Sequence, residues 1–235
     1  MGALPSDGAG RFGAILADPP WRFANRTGKM APEHRRLSRY ATMTLDEIAA
    51  LPVAELALPR SHLYLWVPNA LVLEGLEVLR RWGFTYKTNL VWYKTRKDGG
   101  PDGRGVGFYF RNVTELILFG TRGNLRTLAP GRRQVNILVS RKREHSRKPD
   151  DLYEIIESCS PGPYLELFAR HCRPGWTQWG NEIDPAQLAL APLALDGPPP
   201  RERCAPGRDG REERARPDQL ALNGHLAGEE HRDGD

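Results

Sequence analysis

The stretch Phe12-Gly-Ala-Ile-Leu-Ala17, followed at once by Asp18-Pro19-Pro20-Trp21, decides how the rest of the chain is read. The apolar run fits a short buried strand, and the prolines end it because neither carries an N–H for a ladder hydrogen bond. Outward from there, Thr44-Leu-Asp-Glu47 has capping-box spacing and opens a short helix through Leu51. His62 to Val67 reads as a second strand. Asn69 then caps a helix from Ala70 to Trp82, whose Leu71, Leu76, Val78 and Leu79 fall near helical spacing before Gly83 closes it. Thr85 to Lys94, Val113 to Gly120 and Val135 to Val139 supply further strands. Pro149 opens a helix with Leu152, Ile155, Ile156 and Cys159 on one face, and it ends near Ser160-Pro161-Gly162. Tyr164 to Ala169 and Trp176 to Trp179 are the last strands. This alternation predicts an α/β fold with a mainly parallel sheet, helices on both faces, and ligands outside the carboxyl ends of the strands.

At 235 residues the chain allows one large domain or one domain plus a tail. No apolar run approaches the roughly 20 residues of a membrane span, and the first residues lack the basic flank and apolar stretch of an export signal. A cytoplasmic protein without a membrane partner is expected. Cys159, Cys172 and Cys204 show no C-x-x-C spacing, which argues against a disulfide framework and a structural zinc site. Pro185 to Asp235 has no aromatic residue and is rich in proline, glycine and mixed charge, so it reads as a disordered tail. That tail carries 7 Lys+Arg against 10 Asp+Glu; Met1 to Asp184 carries 27 against 19, a net of +8. A basic domain that holds every tryptophan suggests a polyanionic partner. Two polar insertions, Asn25 to Tyr40 and Thr95 to Gly107, are long enough to expect function or disorder.

The tetrapeptide after the first strand suits one kind of chemistry. The exocyclic amine of adenine is a poor nucleophile because its lone pair is delocalised into the ring. Two acceptors at the amine localise that pair as the nitrogen becomes tetrahedral. Asp18 offers a carboxylate and Pro19 a backbone carbonyl, while Pro19 and Pro20 hold the turn in one conformation. Trp21 offers a flat face for stacking the base, a contact worth about 1–3 kcal/mol per base in single-strand binders.

With these residues the sequence resembles the DPPW-type, MT-A70-like adenine-N6 methyltransferases, a family that includes the catalytic subunit of the eukaryotic mRNA adenosine methyltransferase and bacterial and phage relatives. The resemblance runs from Phe12 to Ile183. It includes Tyr40-Ala-Thr-Met43, Leu65-Trp66-Val67, Leu90-Val-Trp-Tyr-Lys94, Glu115 followed by Gly120, His145-Ser-Arg-Lys-Pro149, Glu166-Leu-Phe-Ala-Arg170 and Gly180-Asn-Glu182. It implies a Rossmann-like sheet of the permuted class I methyltransferase type over Met1 to Asp184, with S-adenosylmethionine as methyl donor. It places Ala17, Asp18, Lys148, Glu166, Arg170, His171, Asn181 and Glu182 around that donor. Glu182 is expected to accept from ribose hydroxyls, as acidic residues at strand ends of such units do, and Lys148 to pair with the methionine carboxylate. There is no G-x-G-x-x-G cradle, which fits a donor without phosphates and argues against a nicotinamide dinucleotide. Glu182 stands where the mRNA branch carries glutamine, and Ala169 replaces a family glycine.

On the target side, the basic residues from Arg122 to Lys148 can track phosphates by counterion release. Tyr40, Tyr109 and Phe110 are expected to help hold an extruded base, since an amine inside a duplex is out of reach. Glu115, by family position, steadies the loop at the target pocket. Trp66, Trp82 and Trp92 read as core. The expected activity is methyl transfer to the adenine 6-amino group of a nucleic acid, without a metal. DNA is favoured because compact relatives are often DNA modifiers; the alternatives are RNA, or a catalytically silent binding subunit.

Overall fold

The computed structural model describes residues 12–22, 42–103, 109–141 and 148–180. Seven strands form one sheet: β1 (Phe12–Ala17), β2 (Ala57–Val67), β3 (Thr85–Thr95), β4 (Thr114–Arg122), β5 (Ile137–Arg141), β6 (Tyr164–Leu167) and β7 (Trp176–Trp179). Their order is β5-β3-β4-β2-β1-β6-β7. The β1–β2, β1–β6, β3–β5 and β6–β7 pairs are parallel, and β4 runs antiparallel to β2 and β3. Six strands therefore deliver their carboxyl ends to one edge of the sheet, and β4 begins there. β1 is buried at every position, as a central strand covered on both faces must be.

Among the described residues four helices cover the sheet: α1 (Leu45–Ala49), α2 (Val53–Leu56), α3 (Val72–Arg81) and α4 (Asp151–Cys159). Two apolar cores result. One gathers Ile15, Leu63, Leu65, Leu118 and Leu165 with Ile48, Val78, Leu79 and Trp82; the other gathers Leu16, Tyr64, Trp66, Trp92 and Ile117 with Leu152 and Ile156 of α4. A fully buried Leu or Ile side chain contributes about 1.5–3 kcal/mol, so α4 is held chiefly by its Leu152–Ile156 face. Trp66, Trp82 and Trp92 all lie in the core, as expected.

The Thr44–Glu47 capping box forms, each residue's side chain meeting the other's backbone or hydroxyl. Asn69 does not cap α3: residues Asn69–Leu71 form a 3₁₀ turn, and the Asn69 amide donates to the Thr114 carbonyl at 3.1 Å. The start of β4 comes alongside and engages the Asn69 side chain, whose amide oxygen would have been the acceptor of a local cap. β2 starts earlier than its sequence suggests, at Ala57, because Phe12 of β1 pairs with it there. Among the described residues no helix is long and apolar enough to cross a membrane. The Asn25 to Tyr40 insertion and the tail from Pro185 lie outside the described residues.

Candidate active site

Asp18 leaves β1 at the carboxyl edge, between β2 and β6. Ala17 is level with Leu167 of β6, and Leu167 with Trp179 of β7. The Asp18 N–H donates to the Leu167 carbonyl and the Ala169 N–H to the Trp179 carbonyl. Positions 18, 168–170 and 180 therefore emerge side by side, with Asp18 and Gly180 about 10 Å apart across two strand spacings.

The Asp18-Pro19-Pro20-Trp21 turn is fixed by its own backbone and by its neighbours. Trp21 N–H donates to the Pro19 carbonyl at 2.8 Å, which leaves that oxygen one lone pair, and Met43 N–H donates to the Pro20 carbonyl at 2.8 Å. Trp21 does not present the open stacking face expected from sequence. It is 6% exposed, and its indole N–H donates to the Trp66 carbonyl at 2.9 Å. The aromatic ring is spent on anchoring the turn to β2, because the residue after two prolines folds back onto the core.

Asp18 faces a row of alternating charges. Lys148 Nζ lies 3.4 Å from Asp18 Oδ2 and 2.8 Å from Glu115 Oε2, and Lys94 Nζ lies 2.5 Å from Glu115 Oε1. Lys148 also sits 4.1 Å above the Trp66 ring, and Lys94 5.0 Å from the Trp92 ring. β1, β3, β4 and the segment before α4 thus each deliver one member, and the four formal charges cancel. The side chains of Asp18, Lys148 and Glu115 keep 29%, 24% and 28% of their surface exposed, so the row is recessed but open to an incoming group. Burial pushes the Asp18 carboxyl above its ordinary value, against the pull of Lys148 and Arg170. Burial works to lower Lys148, yet Asp18 and Glu115 outweigh it and hold the ammonium above its usual range. Burial likewise works to raise Glu115, and Lys148 and Lys94 outweigh it in the other direction.

On the other side of Asp18, β6 is followed by Phe168 at φ +64°, a left-handed conformation costly for an aromatic residue. This turn redirects the chain so that Ala169, Arg170 and His171 border the strand ends. Glu166 accepts from Tyr153 Oη at 2.9 Å and Gln178 Nε2 at 2.7 Å, and burial raises its pKa. Gln178 also accepts from Arg173 N–H at 2.6 Å and donates to the His171 carbonyl at 2.5 Å, stapling the β6–β7 loop to β7. At Gly180 the chain passes so close to Ala169 that an added Cβ would lie 2.8 Å from the Ala169 nitrogen. The close approach is therefore made by Gly180 rather than by the residue at 169.

Of the residues picked from sequence, Ala17, Asp18, Pro19, Lys148, Glu115 and Arg170 come together at this edge, with Glu166 close enough to Asp18 for each charge to act on the other. His171 lies exposed in the β6–β7 loop. Tyr109 and Phe110 stand 95% and 85% exposed, a few residues before Glu115. Tyr40, Asn181 and Glu182 lie outside the described residues; the last two directly follow Gly180. Lys94, Tyr153 and Gln178 carry no sequence signal that marks a role, since each acts through a partner from a distant segment. The indole N–H of Trp66 is buried and has no acceptor among the described residues.

Comparison with known proteins bears on the same region. The MT-A70 family model matches residues 12–182. A putative N(6)-adenosine-methyltransferase MT-A70-like protein of Medicago truncatula is 34% identical over 187 residues, covering 76% of this chain and 28% of the relative. The human N(6)-adenosine-methyltransferase catalytic subunit METTL3 is 32% identical over 183 residues, covering 76% and 29%. The type II methyltransferase M.MunI of Mycoplasma sp is 27% identical over 199 residues, covering 77% of this chain and 81% of that protein. The chain thus spans under a third of the first two relatives and most of the third.

Proposed function

The chain belongs to the MT-A70 family, and on that basis we propose that it transfers a methyl group from S-adenosylmethionine to the 6-amino group of adenine in a nucleic acid, DNA before RNA. The observation that carries the reading is Asp18, held at the carboxyl edge of β1 with Lys148 3.4 Å away and the Glu166–Arg170 and Gly180 strand ends beside it.

S-adenosylmethionine, the donor used by methyltransferases of this family, supplies an electrophilic methyl group on a sulfonium. The residues present suit it. Lys148 and Arg170 bring positive charge for a carboxylate, Glu166 and the polar ends of β6 and β7 suit a nucleoside, and the buried Trp66 N–H is an unmatched donor of the kind a bound ligand satisfies. Lys148, Glu166, Arg170 and His171, with Asn181 and Glu182 after Gly180, would hold it.

Asp18 and the free lone pair of the Pro19 carbonyl accept the two N–H groups of the amine and localise the nitrogen pair for attack on the methyl carbon. Held by Lys148, Glu166 and Arg170, the donor would supply the methyl carbon for this nitrogen, with the thioether as the leaving group. Asp18, whose burial raises its proton affinity, accepts the proton that the amine gives up. Lys148 opposes the rise that burial imposes on this carboxyl. Trp21 and Met43 fix the turn, and Tyr109 and Phe110 offer exposed rings to the extruded base.

The preference for DNA rests on the match over most of the compact type II methyltransferase. Incubation with labelled donor and DNA or RNA, followed by digestion to nucleosides, tests both halves. N6-methyladenine from DNA supports the reading, and label in RNA alone moves the substrate to RNA. Donor binding without transfer to either polymer leaves a silent binding subunit.

A further inference from the structure

At the opposite edge of the sheet lies a second concave surface. A cavity of about 310 Å³ is lined by Lys87, Phe119, Thr121, Asn124, Arg126 and Thr127, together with the backbone between them. Its size falls at the lower end of the roughly 300–1,000 Å³ of small-ligand sites. From Glu115 in the active site to Thr121 is six residues along β4, about 20 Å at a rise of ~3.4 Å per residue. The two sites cannot share one small ligand.

Three independent features shape this cavity. Lys87 is the extra residue of a β-bulge: Tyr86 pairs with Gly120 and Thr88 with Phe119, so Lys87 has no partner on β4. Bulges re-aim a side chain, and this one brings an ammonium to the cavity wall. The loop after β4 is held from both ends. Gly123 has φ +64° and packs against the Pro59 carbonyl, and the Leu128 N–H donates to the Cys159 carbonyl at 2.8 Å. Between them the Leu125 carbonyl lies 3.3 Å from Nε2 of His62, a fully buried ring whose Nδ1 lies 2.8 Å from the Ser160 hydroxyl. Finally, Lys87, Asn124 and Arg126 engage no partner among the described residues. Two cations, an amide side chain and two threonine hydroxyls line one concavity, with Lys87, Asn124 and Arg126 on its exposed side, and no acidic residue lines it.

We propose that this cavity is a phosphate-binding site, in which Lys87 and Arg126 hold a phosphate group and Asn124, Thr121 and Thr127 supply hydrogen bonds. Arg126 gives planar donors and Lys87 a point charge, the pairing by which proteins hold phosphate oxygens. The apolar wall of Phe119 and Leu125 suits the organic part of a nucleotide. The phosphate belongs either to a small nucleotide or to a nucleic-acid strand reaching across the sheet, and the chemistry is the same.

The test uses the full chain and a K87M/R126Q double variant. Binding of inorganic phosphate, adenosine 5′-monophosphate and a 12-nucleotide single strand is measured by calorimetry, beside binding of S-adenosylmethionine as a control on folding and on the active site. A loss of tenfold or more for phosphate or the mononucleotide supports the site with a small ligand as its source. A loss confined to the oligonucleotide supports it with a strand as the source. Donor affinity stays unchanged in both cases. No binding of any phosphate probe to the unaltered chain, or equal binding by the double variant, overturns the proposal and leaves the methyltransferase reading untouched.

Discussion

The ammonium of Lys148 stands 3.4 Å from the carboxylate of Asp18, at the point where β1 leaves the sheet. This contact opposes the rise that burial imposes on the Asp18 carboxyl, because the cost of burying one charge is reduced by a neighbour of opposite sign. Lys148→Met removes that neighbour, so the Asp18 pKa rises further. The acidic limb of the pH–rate profile is expected to move to higher pH, with activity lost earlier as the medium is acidified. An acidic limb in the same place as wild type would separate Lys148 from Asp18.

Glu115 lies between two cations, 2.5 Å from Lys94 and 2.8 Å from Lys148. Glu115→Gln leaves both recessed ammonium groups without their shared carboxylate, which costs about 1–3 kcal/mol in chemical denaturation. The folded carboxyl sits below its ordinary value of 4.5, so this contribution is present above that pH and is lost as pH falls through the lower folded value. The gap between wild type and variant is expected to be widest near neutral pH and to close in acid. A gap that does not depend on pH contradicts the charge assignment.

His62 is fully buried, and burial holds its ring below the ordinary 6.5, so the folded protein favours the neutral form. The unfolded chain binds the proton first as pH falls below 6.5, and folding stability then drops with pH. Thermal melts of wild type between neutral pH and pH 5 are expected to show that slope, and His62→Gln to flatten it. Equal slopes would place the titration elsewhere.

Gly180 has room for no side chain against Ala169. Gly180→Ala forces the β6–β7 ends apart at a cost of about 1–3 kcal/mol. Donor affinity is expected to fall by tenfold or more without any change of charge. Unchanged affinity in calorimetry would remove this strand pair from the donor site.

Much of this was legible in the sequence, because it is local. β1 and its proline stop, the Thr44 cap, the helix after Pro149 and the parallel sheet follow from patterns within a few residues. The resemblance placed Glu115 and Lys148 near the site, but not in contact. What the sequence hides is made by partners far apart in the chain. Asn69 has the composition of a cap and instead serves β4. Trp21 has the composition of a stacking platform, and the carbonyl of Trp66 draws it into the core. Lys94 lies in a segment that carries the resemblance, which assigns it no role, and becomes part of the charge row only when β3 and β4 pair.

The most direct measurement compares Asp18→Asn with wild type for donor affinity and for the rate of N6-methyladenine formation, each on the same preparation. Thermal melts of both proteins check that the substitution keeps the fold, since asparagine matches aspartate in shape and removes only the charge that Lys148 faces. Donor affinity within a few-fold of wild type, with transfer reduced about 10²–10³-fold or more, is the expected result. Transfer at a near wild-type rate by a chain that still binds the donor would show that the carboxylate at the end of β1 is not the acceptor on which the chemistry depends.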